Sequence, residues 1–101
     1  MFDFRLATPS EIGRELGARI RRQRLATGVR QRDLAARAGV SVNILRNLER
    51  EGHATLDSFI RVALALGMAD QLAPLLDTRT TSLRAMEQAS RTRQRAPRRP
   101  A

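Results

Sequence analysis

The chain has 101 residues, a formal net charge of +9 and no cysteine. This length suits one small domain whose core is marginal on its own, so a dimer interface would help to stabilise it. The missing cysteine excludes disulfides and thiolate metal sites, and the excess of arginine favours a polyanionic partner, usually nucleic acid.

The N-terminal third predicts one long helix after a short arm. Phe2–Leu6 alternates apolar and polar residues, which is typical of either an edge strand or an arm. Thr8, Pro9 and Glu11 form a helix start signal, as N-cap, first helical residue and capping-box glutamate. The helix is predicted to end at Gly28. Its apolar stripe is predicted to be Ile12, Leu16, Ile20 and Leu25.

The segment QRDLAARAGVSVNILRNLE, residues 31–49, indicates two short helices joined by a tight turn at Gly39. Helix two is predicted at about 31–38 and helix three at about 42–50, with Ser41 placed to cap the second of them. We expect the core positions to be Leu34, Val40, Leu45 and Leu48. This order is typical of a DNA-binding helix-turn-helix, in which the second helix lies in the major groove.

Two further helices are predicted before the tail. Thr55 is placed to cap the fourth, which ends near Gly67. Its inward side chains are predicted to be Leu56, Phe59, Ile60, Ala63 and Leu64. A fifth helix is predicted at about 69–76, where Pro74 makes it short or bent.

The C-terminal residues differ in composition from the rest. Residues 78–101 hold seven arginines and one glutamate, and the last eleven contain two prolines and no large apolar side chain. Because such a segment buries too little surface to offset its ordering entropy, we expect it to be largely disordered. The predicted division is an arm at 1–7, a helical domain at 8–77 and a basic tail at 78–101.

Residues 8–77 resemble the five-helix domain of the phage-repressor-like (Xre/Cro) helix-turn-helix family. The segments LATPSEIGRELGARIRRQRLATG and LEREGHATLDSFIRVALALG are most similar to HipB-type antitoxins, which are encoded beside a HipA-like Ser/Thr kinase toxin. The resemblance implies an all-α, lambda-repressor-like domain that represses its own operon and restrains such a kinase. The alternative is a stand-alone Xre-family transcription regulator without a toxin partner, whose tail only strengthens nonspecific DNA affinity.

The outer face of helix three supplies the candidate base-reading residues. Asparagine suits an adenine edge, Arg46 suits guanine, and Val42 suits a thymine methyl group. On periodicity alone, Asn43 and Asn47 are better explained as solvated residues. The turn pattern reverses this for Asn43 and Arg46 and leaves Asn47 open. The complete candidate face consists of Val42, Asn43, Arg46, Asn47 and Arg50.

Backbone phosphates have separate candidates. Gln31 resembles the family's phosphate-holding glutamine, although it is equally placed simply to begin a helix, and Ser41 is a cap first and a phosphate contact second. Arg30 replaces the usual Ser or Thr cap of helix two and adds a cation there. Ile44 replaces a small hydroxyl residue and either contacts a thymine methyl or widens the core stripe. A solvated face is the ordinary explanation for Arg19, Arg22 and Arg24.

A palindromic operator in double-stranded DNA, with half-sites roughly 34–36 Å apart, implies a homodimer. The candidate interface residues are Leu72, Leu75 and Leu76, of which Leu72 fits the monomer's own core equally well. The arm at Phe2–Leu6 is a weaker candidate for pairing across the dimer.

The sequence gives no support for catalysis. His53 is the single histidine and lies in a predicted exposed loop, and neither a metal-ligand spacing nor a glycine-rich phosphate loop is present. We therefore expect no enzyme, no cofactor and no metal. Without a long apolar run or a basic leader, the chain is expected to be a soluble cytoplasmic protein at the nucleoid.

Overall fold

The computed structural model describes residues 1–78, which contain five helices and no strand. The helices are α1 (Pro9–Thr27), α2 (Gln31–Ala38), α3 (Val42–Glu51), α4 (Leu56–Ala65) and α5 (Ala69–Leu72). The all-α fold class and the number of helices are confirmed. The predicted disorder of the tail at 78–101 falls, apart from Thr78, outside the described residues.

Local capping fixes the helix ends where the sequence predicts them. The Thr8 hydroxyl oxygen accepts from the Glu11 amide at 3.1 Å, and the Glu11 carboxylate accepts from the Thr8 amide at 2.9 Å. Gly28 ends α1 in the left-handed region with φ 72°. Ser41 accepts from the Ile44 amide at 3.0 Å and so caps α3. Each cap satisfies a backbone group that the helix itself leaves unpaired.

Helices α1 and α3 approach each other closely through glycine. A Cβ atom on Gly17 would collide with the backbone carbonyl oxygen of Leu48, and one on Gly52 would collide with the backbone of Gly13. The two backbones lie nearly in contact at these points, so no residue larger than glycine fits there. This approach sets the distance of α3 from α1.

The buried core lies among α1–α4, and its apolar members are Ile20, Leu34, Ala35, Ala38, Leu45, Leu48, Val62 and Ala63. The prediction for Val40 is met only in part, because this side chain is half-buried. The prediction for Leu25 was wrong, because it is exposed and Arg24 is buried in its place. The α1 stripe continues with a spacing of four residues, which leads from Ile20 to Arg24.

The inward face of α4 also differs from the prediction. Leu56 is 73% exposed and Leu64 is 52% exposed, and Ile60 is exposed as well. Phe59 is half-buried and Ala63 is buried, as predicted. The buried side chains of α4 are Ser58, Val62 and Ala63. This face of α4 packs on α2, whose buried residues are Leu34, Ala35 and Ala38.

Residues 1–69 form one compact unit, and the described residues from Asp70 onward do not belong to it. Helix α5 ends at Leu72, earlier than predicted, because Pro74 cannot donate a backbone hydrogen bond. Turns follow instead, with the Leu75 amide donating to the Leu72 carbonyl at 3.0 Å. Leu76 has φ 61°, a left-handed conformation that ends any helical continuation.

The N-terminal residues form a turn and no strand, so the edge-strand alternative for Phe2–Leu6 was wrong. The Leu6 amide donates to the Asp3 carbonyl at 3.2 Å. The Phe2 and Phe4 rings meet edge to face with centroids 5.0 Å apart, and the Arg19 guanidinium carbon lies 5.1 Å from the Phe4 centroid. This cation–π contact fastens the arm to α1.

Candidate nucleic-acid interface

Helix α3 has a polar outer face and an apolar inner face. Leu45 and Leu48 are buried, so they hold the helix against the core. Among the predicted base-reading side chains, Val42 is half-buried. The others are exposed, namely Asn43, Arg46, Asn47 and Arg50. Ile44 is also exposed, at 38%, and therefore does not widen the core stripe.

A buried ion pair joins α1 to α3. The Nε of Arg24 donates to Oε2 of Glu49 at 2.7 Å, and its Nη2 donates to Oε1 at 2.9 Å. The third donor, Nη1, reaches the Val29 carbonyl oxygen at 3.0 Å. Arg24 is only 7% exposed and Glu49 only 6%. The expectation that Arg24 belongs to a solvated face was therefore wrong.

Geometry makes this pair strongly directional. The guanidinium fork matches the two carboxylate oxygens, and such bidentate bonds are shorter and stronger than neutral ones. Hydrogen bonding to Glu49 raises the pKa of Arg24 above its ordinary value, and burial opposes that shift only in part. Arg24 therefore stays charged at every physiological pH, and the pair holds α3 in one register along α1.

Gln31 brings α2 into the same network. Its Nε2 donates to Oε1 of Glu49 at 3.1 Å. Because a carboxylate only accepts hydrogen bonds, the amide nitrogen must face Glu49, and its second N–H remains available to another acceptor. The predicted phosphate-holding residue thus sits at the start of α2, tied to the recognition helix by one hydrogen bond.

Above this network lies a cleft of about 430 Å³, which we call the α1–α3 cleft. It is lined by Arg21, Arg24, Gln31, Arg46, Glu49 and Arg50. The charges of Arg24 and Glu49 cancel, while Arg21, Arg46 and Arg50 form no ion pair with any of residues 1–78. The cleft is therefore positively charged, with three free guanidinium groups beside the exposed face of α3.

Of the eight arginines of residues 1–78 outside the cleft, five form ion pairs with carboxylates, and Arg14, Arg32 and Arg37 form none within that range. Arg19 and Arg22 share Glu15, and the hydrogen bond from Arg19 is the main cause that lowers the pKa of the Glu15 carboxyl. Arg30 pairs with Asp33 at 3.1 Å, which offsets the extra cation expected at the start of α2. Such exposed pairs contribute little to stability, but they concentrate the unneutralised charge at other positions, the α1–α3 cleft among them.

Sequence reasoning missed Arg21, Arg24 and Glu49 as parts of this site. A signal for the buried pair was present, because Arg24 continues the four-residue spacing of the α1 stripe. Glu49 likewise follows Leu45 by four residues on the inner side of α3. Opposite charges at apolar positions of two helices indicate that they pair.

Other candidate chemistry is not found in the described part of the chain. Residues 1–78 hold no cluster of metal-ligating side chains, and His53 is exposed. Over the same residues, none of the helices combines the length and the apolar character that a membrane crossing requires.

The family model of HTH_3, described as Helix-turn-helix, matches residues 20–70. The chain belongs to this Xre/Cro-like helix-turn-helix family. The matched range includes α2, α3, α4 and all six residues that line the α1–α3 cleft. The helix-turn-helix protein described here is thus a DNA-binding transcription regulator. A search of curated proteins gives no match to the chain.

Glu49→Gln tests the buried pair. The substitution leaves the Arg24 charge buried without its counter-ion, so the free energy of unfolding should fall by about 3–5 kcal/mol. Urea denaturation followed by circular dichroism measures this change. Asp57→Asn is the matched control, since it removes the carboxylate of the exposed Arg61 pair and should cost at most about 1 kcal/mol. Equal losses in the two variants would contradict the role given to Glu49.

Proposed function

We propose that this protein is a sequence-specific repressor that binds a palindromic operator as a homodimer. One observation carries the proposal: the exposed polar face of α3 borders a cleft with three unpaired arginines. A polar face suits the reading of base edges, and free guanidinium groups beside it suit the phosphates that flank the groove. Together they favour duplex DNA over a protein or a small molecule.

The proposed roles follow the position of each side chain on α3. Asn43, in the first turn, and Asn47, one turn later, are proposed to pair with adenine edges, and Val42 is proposed to pack against a thymine methyl. Arg50 and Arg46 belong to the same DNA-facing surface. At the edge of the groove, the free N–H of Gln31, the Ser41 hydroxyl and Arg30 are proposed to contact phosphates, aided by helix N-termini.

A homodimer is proposed because one recognition helix reads too few base pairs. The proposed interface contains Leu75 and Leu76, which are exposed at 60% and 92%, and the half-buried Leu72. Exposed apolar side chains that neighbour one another in this way are typical of surfaces that bury themselves in a partner. The apolar row of α4, formed by Leu56, Ile60 and Leu64, is the competing candidate.

The finer proposal is an autoregulating antitoxin that neutralises a HipA-like Ser/Thr kinase. The resemblance of residues 6–28 and 48–67 to HipB-type antitoxins supports it, and the exposed row of α4 offers an apolar surface that such a partner can cover. A stand-alone Xre-family regulator with no toxin is the alternative. Both versions share the same operator-binding surface and place the protein at the nucleoid in the cytoplasm.

Asn43→Ala tests the base-reading surface. An operator is first selected from a random-sequence duplex pool, and binding is then measured by fluorescence anisotropy on this operator and on its single-base variants. The variant should lose about 1–3 kcal/mol of discrimination at one base pair per half-site and keep its affinity for nonspecific duplex. A loss shared equally by all sequences would contradict base reading by Asn43, and failure to select any operator would contradict sequence-specific repression.

Leu76→Glu tests the dimer. Placing a carboxylate in a dimer core should raise the dimer dissociation constant at least tenfold and weaken operator binding in proportion, while the fold is kept because Leu76 is exposed. Sedimentation equilibrium measures the assembly. Leu64→Glu is the matched control on α4. A monomeric Leu64→Glu variant beside a dimeric Leu76→Glu variant would move the interface to α4.

Co-purification tests the antitoxin proposal. If a kinase-like reading frame adjoins this gene, the tagged chain should retain the expressed kinase through size-exclusion chromatography and suppress its autophosphorylation. A kinase that elutes alone with full activity would favour the stand-alone regulator.

A further inference from the structure

We propose that the α1–α3 cleft is a binding site for a single DNA backbone phosphate, held jointly by Arg21 of α1 and Arg46 of α3. The inference rests on the proposed function and deepens it. It adds a contact from α1, which lies outside the helix-turn-helix, and it gives Arg46 a backbone role in place of the guanine contact expected from the sequence. Arg50 completes the rim of the cleft.

The exposed side chains of α3 form two rows. Arg46 and Arg50, one helical turn apart, line the cleft together with Glu49, which faces α1. Asn43 and Asn47, also one turn apart, do not line it. Since residues four apart share a face, the arginine row lies on the α1 side and the asparagine row lies away from it.

The electrostatics of the cleft wall favour an anion. An unpaired Glu49 carboxylate there would repel a phosphate. Its two oxygens instead accept from Nε and Nη2 of Arg24 and from Nε2 of Gln31, so its charge is compensated and most of its lone pairs are occupied. The donors of the cleft that no carboxylate occupies are the guanidinium groups of Arg21, Arg46 and Arg50 and one N–H of Gln31. A guanidinium fork matches two phosphate oxygens.

The neighbours of Arg46 favour a phosphate over a guanine edge. Arg46 lines the cleft together with Arg21, which belongs to another helix, whereas Asn43 and Asn47 do not line it. A ligand that both arginines reach must lie between α1 and α3, at the rim of the groove. The sugar–phosphate backbone runs along that rim.

The experiment combines two single substitutions in the full chain, Arg21→Ala and Arg46→Ala, with operator duplexes that carry one uncharged methylphosphonate at a time. Arg14→Ala is the matched control, because Arg14 is exposed, forms no ion pair within residues 1–78 and lies on α1 outside the cleft. Arg21 and Arg46 are exposed, so their alanine variants should fold. Circular dichroism checks this.

The wild-type protein should lose about tenfold in affinity at one methylphosphonate position per half-site. Arg21→Ala and Arg46→Ala should each bind unmodified duplex about tenfold more weakly and become insensitive to that same position. Each should also reduce the slope of log K against log salt by about one, with base preferences unchanged. Arg14→Ala should keep the wild-type sensitivity.

Two results would overturn the inference. One is a loss of preference at a single base pair in Arg46→Ala, which would restore the guanine contact. The other is an Arg21→Ala variant that behaves like Arg14→Ala. The salt slopes can also be measured on random-sequence duplex, which requires no operator. If Arg21→Ala and Arg46→Ala reduce this slope as expected but no operator can be selected, the result contradicts sequence-specific repression and still supports the phosphate site.

Discussion

The ion pair between Arg24 and Glu49 fixes where the recognition helix lies. Glycines bring α1 and α3 into near contact, which sets their separation, but small residues alone allow the helices to slide. The bidentate bond removes that freedom because both carboxylate oxygens and two guanidinium nitrogens must meet at once. Burying two charges costs much of what their attraction returns, so the pair is better understood as a positioning device than as a source of stability.

The same pair decides the charge of the surface above it. Glu49 lies among arginines, yet its charge is matched by Arg24. Gln31 donates a further hydrogen bond to its carboxylate. The remaining guanidinium groups of Arg21, Arg46 and Arg50 therefore act on solvent and on ligands. One buried interaction thus both orients α3 and keeps the positive charge beside it uncompensated, which is the combination that the proposed operator-binding surface requires.

Sequence reasoning succeeded where structure is decided locally. The ends of α1 and the start of α3 follow from Thr8, Gly28 and Ser41, whose side chains or backbone satisfy the first and last groups of a helix. It failed where two faces compete. On α4 both faces carry apolar side chains, so the pattern alone does not decide which face is buried, and the packing of α4 on α2 buries Ser58, Val62 and Ala63. Arg24 was missed because a charged residue was assigned to solvent before its partner was sought.

The most direct test of the account is the position of bound DNA on the protein. Backbone amide and arginine side-chain resonances of the full chain should be followed by NMR during titration with the selected operator duplex. The largest shifts are predicted at Asn43 and Asn47, at the start of α2, and at the side chains that line the α1–α3 cleft, with the arginine Nε–H signals of Arg21 and Arg46 included. Shifts centred on the exposed row of α4, with the cleft signals unmoved, would contradict it.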